Sequence, residues 1–167
     1  MGATCCLTFF DSLEASDWID FIGIIVNSFL AYWIVRTIQN RLTNKRVLKD
    51  YFISEIKDIR TEYNVCLNNL YLDNTKPKGI IPWFKLMNIK IEGLMKEMNR
   101  TYGIDSAILN PYQYELRDLI TDNADFTNQF SSDNSIIFSE PSKIMFTMFQ
   151  QRNNQLFTNI IVAINNA

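Results

Sequence analysis

Residues 21–35 read FIGIIVNSFLAYWIV, a run without a single charge. Adding Trp18, Ile19 and Asp20 extends the stretch to 18 residues, at the short end of the roughly 17–25 that cross a bilayer as a helix. Trp18 at one end and Tyr32 and Trp33 at the other stand where interfacial aromatic anchors are found. The segment predicts a transmembrane helix over residues 18–36.

Charge is distributed around this segment in steps. Residues 1–35 hold four acids (Asp11, Glu14, Asp17 and Asp20) and no Lys or Arg. Residues 36–102 hold thirteen of the sixteen bases against seven acids, and residues 103–167 hold three bases against seven acids. A single globular domain seldom segregates charge in this way. Arg36, Arg41, Lys45, Arg46 and Lys49 form a basic collar suited to anionic lipid headgroups. By the positive-inside rule, residues 1–17 are expected outside and residues 37–167 in the cytoplasm.

Other readings of the segment fit less well. A cleaved signal peptide has a basic start and a small-residue end, and neither is present here. A buried helix of a soluble protein accommodates Asp20 and Asn27 but not the charge step. Met1-Gly2-Ala3-Thr4-Cys5-Cys6 has Cys6 where the myristoylation pattern wants Ser or Thr.

Asp20, Gly23, Asn27 and Ala31 recur at helical spacing, with Ser28 at their edge. Small residues let helices approach closely, and an Asn in hydrocarbon seeks a partner. Ionisable groups at membrane depth point to a bundle interior or a wet cavity. The bland expectation is a dimer contact with Asp20 reaching the outer headgroups. The sharper one is a homo-oligomeric ring whose polar faces surround a pore.

Beyond the anchor the pattern is helical throughout. No Pro or Gly occurs between Ile24 and Lys76, so one helix can run on from the membrane. Leu48, Phe52, Ile56, Ile59, Tyr63, Cys66 and Leu70 form one apolar stripe. Residues 73–81 read as a loop, and Pro82 suits the first position of a second helix. That helix carries Trp83, Met87, Ile91, Leu94, Met98 and Tyr102, with Gly103 as its stop.

Asn110-Pro111 starts a third helix, with Tyr112, Leu116, Leu119 and Ile120 on its inner face. Ser139-Glu140-Pro141 starts the last, whose stripe includes Met145, Met148, Phe149, Leu156, Phe157, Ile160 and Ile164. The expected fold is all-α: an N-terminal membrane helix continuing into an antiparallel four-helix bundle.

Histidine is absent, which removes the usual general base and the commonest metal ligand. No phosphate-binding glycine loop, zinc motif or nucleophile elbow occurs, and Cys5, Cys6 and Cys66 form no ligand spacing. No cofactor is implied. Asp118, Asp122 and Asp125 lie at helical steps and are expected to be solvated acids on one face. Arg152 shares spacing with Met145, Phe149, Leu156 and Asn159, and an arginine on an apolar face calls for a carboxylate or polar partner.

Arg152-Asn153 on the final helix of such a bundle resembles the motif of HEPN domains, an Arg and a polar residue followed at four to six intervening residues by His. Here those positions hold Phe157, Thr158 and Asn159, and a carboxamide does not exchange protons as imidazole does. One membrane helix joined to a degenerate HEPN-like domain over residues 48–167 resembles the accessory membrane proteins of type VI-B CRISPR systems. Asn- and Ile-rich usage fits an AT-rich bacterial source. The resemblance implies an oligomeric pore in the bacterial inner membrane, without nuclease activity and without direct nucleic-acid binding. It also implies functional coupling to an RNA-guided RNase in antiviral defence, by membrane depolarisation. A membrane-tethered HEPN-like RNase or RNA-binding module is the alternative from the enzyme class, and a scaffold recruiting a soluble partner is the plainest one.

Overall fold

The computed structural model describes residues 15–167, and the side chains of all of them except residues 15–17, 40 and 41. The acids at 11 and 14, the cysteines at 5 and 6 and the side chains of Asp17 and Arg41 therefore lie outside what is described. The described chain is helical: α1 Ala15–Tyr71, α2 Pro77–Tyr102, α3 Asn110–Thr121, α4 Ala124–Gln129, α5 Glu140–Arg152 and α6 Leu156–Asn166. No strand occurs among the described residues. The chain divides into two units, with the boundary after Val47.

In the first unit, α1 is long and apolar enough to cross a membrane, and no residue of its most apolar 18-residue window is buried. The second unit, Leu48–Ala167, has a core of its own. Phe52, Ile56, Ile59, Tyr63, Leu67 and Leu70 of α1 are buried, as are Met87, Ile91, Leu94 and Met98 of α2. Leu48, at the start of the expected stripe, is exposed instead, and Cys66 is half-buried.

Contacts along the helices define their directions. Phe52 meets Tyr102 at 5.7 Å and Tyr63 meets Trp83 at 5.5 Å between ring centroids, so α2 runs antiparallel to α1. Lys90 joins the same pair, 2.6 Å from Glu62 and 4.0 Å from Glu55, and the Glu62 hydrogen bond raises its pKa. Lys49 reaches the Asn165 carbonyl at 3.1 Å and Arg60 reaches Asn154 at 3.2 Å. Helix α6 is thus also antiparallel to α1. Tyr63 sits at the junction, edge-on to Tyr112 at 4.9 Å and tilted against Phe157 at 6.3 Å. Tyr112 in turn packs on Phe149 at 4.9 Å. Each aromatic pair of this kind adds about 0.5–1.5 kcal/mol beyond the area it buries.

Two boundaries differ from the sequence expectation. Helix α2 starts at Pro77, and Pro82 lies inside it. Pro77 takes the first-turn position where a missing N–H is harmless, and the added turn buries Ile80. The last helix is two helices, broken at residues 153–155. The break shifts the phase, so Phe146 and Phe149 are buried while Met145 and Met148 are 42% and 62% exposed. The segment after α3 holds the short α4, whose Asn123 cap accepts the Asp125 N–H at 2.8 Å. An antiparallel helical bundle is therefore present, but not as four unbroken helices.

Other expectations hold locally. Gly103 ends α2 at φ 68°, its N–H bonded to the Asn99 carbonyl at 2.8 Å, the left-handed stop that glycine favours. Ser139 precedes α5, with Pro141 in the first turn. Asp73, at φ 56°, turns the chain after α1 in a conformation that Asp tolerates. Its carboxylate accepts the Phe138 N–H at 3.2 Å and pairs with Lys143 at 3.0 Å.

Candidate functional site

Two regions carry the residues singled out by the sequence. On α1, thirteen large apolar side chains between Trp18 and Val35 are exposed, among them Ile19, Ile24 and Phe29. At about 100° per residue, Asp20, Gly23, Asn27 and Ala31 fall within a sector about 80° wide. Ser28 lies beyond its edge, and Ile34 shares the sector. Asp20, Asn27, Ser28 and Ala31 are exposed, and a Cβ placed on Gly23 would meet no other group within 4 Å. The Asn27 carboxamide finds no partner among the described residues.

The basic collar is not uniform. Arg36 donates to the Tyr32 hydroxyl at 2.8 Å, and its guanidinium stands 5.9 Å from that ring's centroid. This (i, i+4) pair ties the first cation of the collar to an interfacial aromatic. Lys45 and Arg46 are exposed. Lys49 is engaged by the carbonyl near the end of α6, where a cation complements the negative end of the helix dipole.

The second region is the break between α5 and α6. Arg152 finds the partner its position calls for: Glu115 of α3 accepts from its guanidinium. The pair is surface-exposed, at 63% and 48%, so the stem is not buried on the apolar face as the unbroken helix implied. The guanidinium also stands 5.9 Å from the Phe149 ring centroid. Asn153 caps α5, donating its side-chain N–H to the Phe149 carbonyl at 3.0 Å. Asn159 lies on α6 and is exposed, on the far side of the break from Arg152.

Beside the break is a recess of about 290 Å³, lined by Arg60, Asn64, Gln150, Gln151, Asn153 and Asn154 together with two rings. Its polar groups are amides and one guanidinium. Tyr112, one of the rings, has its pKa raised by burial, so its phenol stays protonated. The amide side chains carry no titratable proton. The recess is equipped to hold polar groups, not to run general acid–base chemistry.

Compared with protein-family models, with curated proteins and with solved structures, the chain matches none.

The three aspartates expected on one face are separated. Asp118 pairs with its neighbour Arg117 at 2.7 Å, Asp122 lies past the end of α3, and Asp125 belongs to α4. Asp125 accepts from the Ser139 N–H at 2.9 Å, the Ser139 hydroxyl at 2.7 Å and the Ser142 hydroxyl at 2.7 Å. Those bonds, the Ser139 backbone first, hold its carboxyl below the usual range. It is a clasp joining α4 to α5. Neither this clasp nor Glu115 was legible beforehand, because their partners lie 14 and 37 residues away and leave no periodic trace.

Proposed function

We propose that this chain is a single-pass membrane protein whose spanning helix assembles with copies of itself, polar sectors inward, to form a membrane pore. The observation that carries the reading is the exposed apolar window of α1 with a polar sector at its centre. Withdrawing thirteen large apolar side chains from water is worth on the order of 20 kcal/mol, at about 1.5 kcal/mol each. Lipid satisfies those side chains but not Asn27 or Asp20. A neighbouring copy presenting the same sector can pair its Asn27 carboxamide with this one, and a ring of copies leaves Asp20 facing water.

In this reading residues 37–167 are the cytoplasmic domain and the N-terminus lies outside, in a bacterial inner membrane. The domain acts through packing and contacts, without nuclease activity of its own. The resemblance to type VI-B CRISPR accessory proteins supplies the setting, membrane depolarisation in support of an RNA-guided RNase. The amide-lined recess, whose amides carry no titratable proton, supports the non-enzymatic part.

The test is the mass of the detergent-solubilised protein after subtraction of bound detergent, followed by ion conductance in planar bilayers. A ring of six or so subunits, with unitary conductance, is expected. A monomer or dimer without conductance refutes the pore. RNA cleavage by the purified protein, lost on Arg152→Ala, would establish the tethered-nuclease reading in its place.

A further inference from the structure

A cleft of about 460 Å³ opens in the second unit between α2 and α3, within the range of small-molecule sites. The function proposed above makes no use of it. Tyr63, Phe84 and Tyr114 supply aromatic wall, and the exposed side chains of Lys85 and Arg117 also line it, with no carboxylate among the lining residues. Two of its residues are deeply buried, Tyr63 at 1% exposure and Gln113 at 5%. The Tyr63 hydroxyl and the Gln113 Nε2 are shielded from water and make no well-formed hydrogen bond, although the Gln113 side chain lies near enough to the phenol to lower its pKa against the larger upward effect of burial. Buried donors are seldom left so.

The polar groups discriminate among ligands. An acyl chain would fill the cleft but offer no acceptor to the Gln113 amide or the Tyr63 hydroxyl. A heteroaromatic ring offers faces to Phe84 and Tyr114 and acceptors along its edge to Gln113 and Tyr63. Arg117 is already held, donating through Nε and Nη2 to Asp118 at 2.8 and 2.7 Å, with its guanidinium 5.3 Å from the Tyr114 ring centroid. Its remaining N–H groups are free to meet an anion. Lys85 has no ion pair among the described residues.

We propose that this cleft binds a small anion with a flat heteroaromatic body, of the nucleoside monophosphate class. The ring lies against the aromatic wall, its edge pairs with the Gln113 amide and the Tyr63 hydroxyl, and the phosphate meets Lys85 and Arg117. The proposal rests on the second unit alone and stands apart from the pore.

The test is calorimetric titration of the full-length protein in detergent with AMP, GMP, CMP and UMP, with ribose 5-phosphate, adenosine and decanoate as comparisons. At least one nucleotide is expected to bind saturably, and more tightly than ribose 5-phosphate, adenosine or decanoate. Lys85→Glu and Gln113→Leu should each weaken it about tenfold or more. Circular dichroism reports whether Gln113→Leu folds; if it does not, the surface variant Lys85→Glu decides. Absence of saturable binding by all four nucleotides at millimolar concentration overturns the proposal. So does binding that Lys85→Glu leaves unchanged, equal binding of ribose 5-phosphate, or preference for decanoate.

Discussion

Replacing Asn27 by Leu isolates the polar sector of the membrane helix. Asn27 lies within the sector bounded by Gly23 and Ala31, is exposed and has no partner among the described residues. Leu keeps nearly the same volume and increases apolarity, so insertion is preserved while any interhelical hydrogen bond is removed. Such bonds in membranes are worth about 0.6–1.7 kcal/mol. In a closed ring each subunit contributes one interface, so the midpoint concentration for assembly should rise about 3- to 20-fold at RT of about 0.59 kcal/mol. Sedimentation equilibrium across a series of protein-to-detergent ratios measures that midpoint directly. Phe29→Leu, on the opposite side of α1 by helical geometry, should leave it within about twofold. An unchanged midpoint for Asn27→Leu, or an equal shift for Phe29→Leu, would refute the assignment of this sector as the assembly face.

Two further outcomes concern the second unit. The Asp125 carboxyl is held below its ordinary pKa by the Ser139 and Ser142 donors, so its contribution to stability is complete above the unfolded value, about 3.9. That contribution disappears as pH falls through the lowered folded value. Asp125→Asn should therefore lower the denaturation midpoint near neutral pH, with the difference closing toward about pH 2; a pH-independent difference would contradict the clasp. The exposed Arg152–Glu115 pair should matter little to folding, with Arg152→Ala costing at most about 1 kcal/mol in urea unfolding. A loss of about 3 kcal/mol would mean that the arginine pins α5 to α3.

How far the sequence speaks for itself varies from helix to helix. Phe52, Ile56, Ile59, Tyr63 and Leu70 repeat with the period of the backbone, so their common burial follows from a one-dimensional pattern. Gly103 and Ser139-Glu140-Pro141 mark helix ends by local backbone chemistry, and they mark them in the structure. The apolar window of α1 is equally local, a matter of length and composition.

The break after Arg152 is different in kind. No Gly or Pro announces it; Asn153 turns its side chain back onto Phe149 and Asn154 accepts from Arg60, 94 residues away. Asn side chains compete with the helix for backbone hydrogen bonds, but whether they win depends on a partner that exists after the chain has folded. Pro77 starts α2 for a similar reason, because the extra turn places Ile80 in the core. The pairing of Arg152 with Glu115 and the meeting of Tyr63 with Gln113 in one cleft were likewise decided by tertiary structure. Periodicity records which face of each helix is apolar, whereas partners across helices are set by packing, which brings distant residues together without any regular spacing between them.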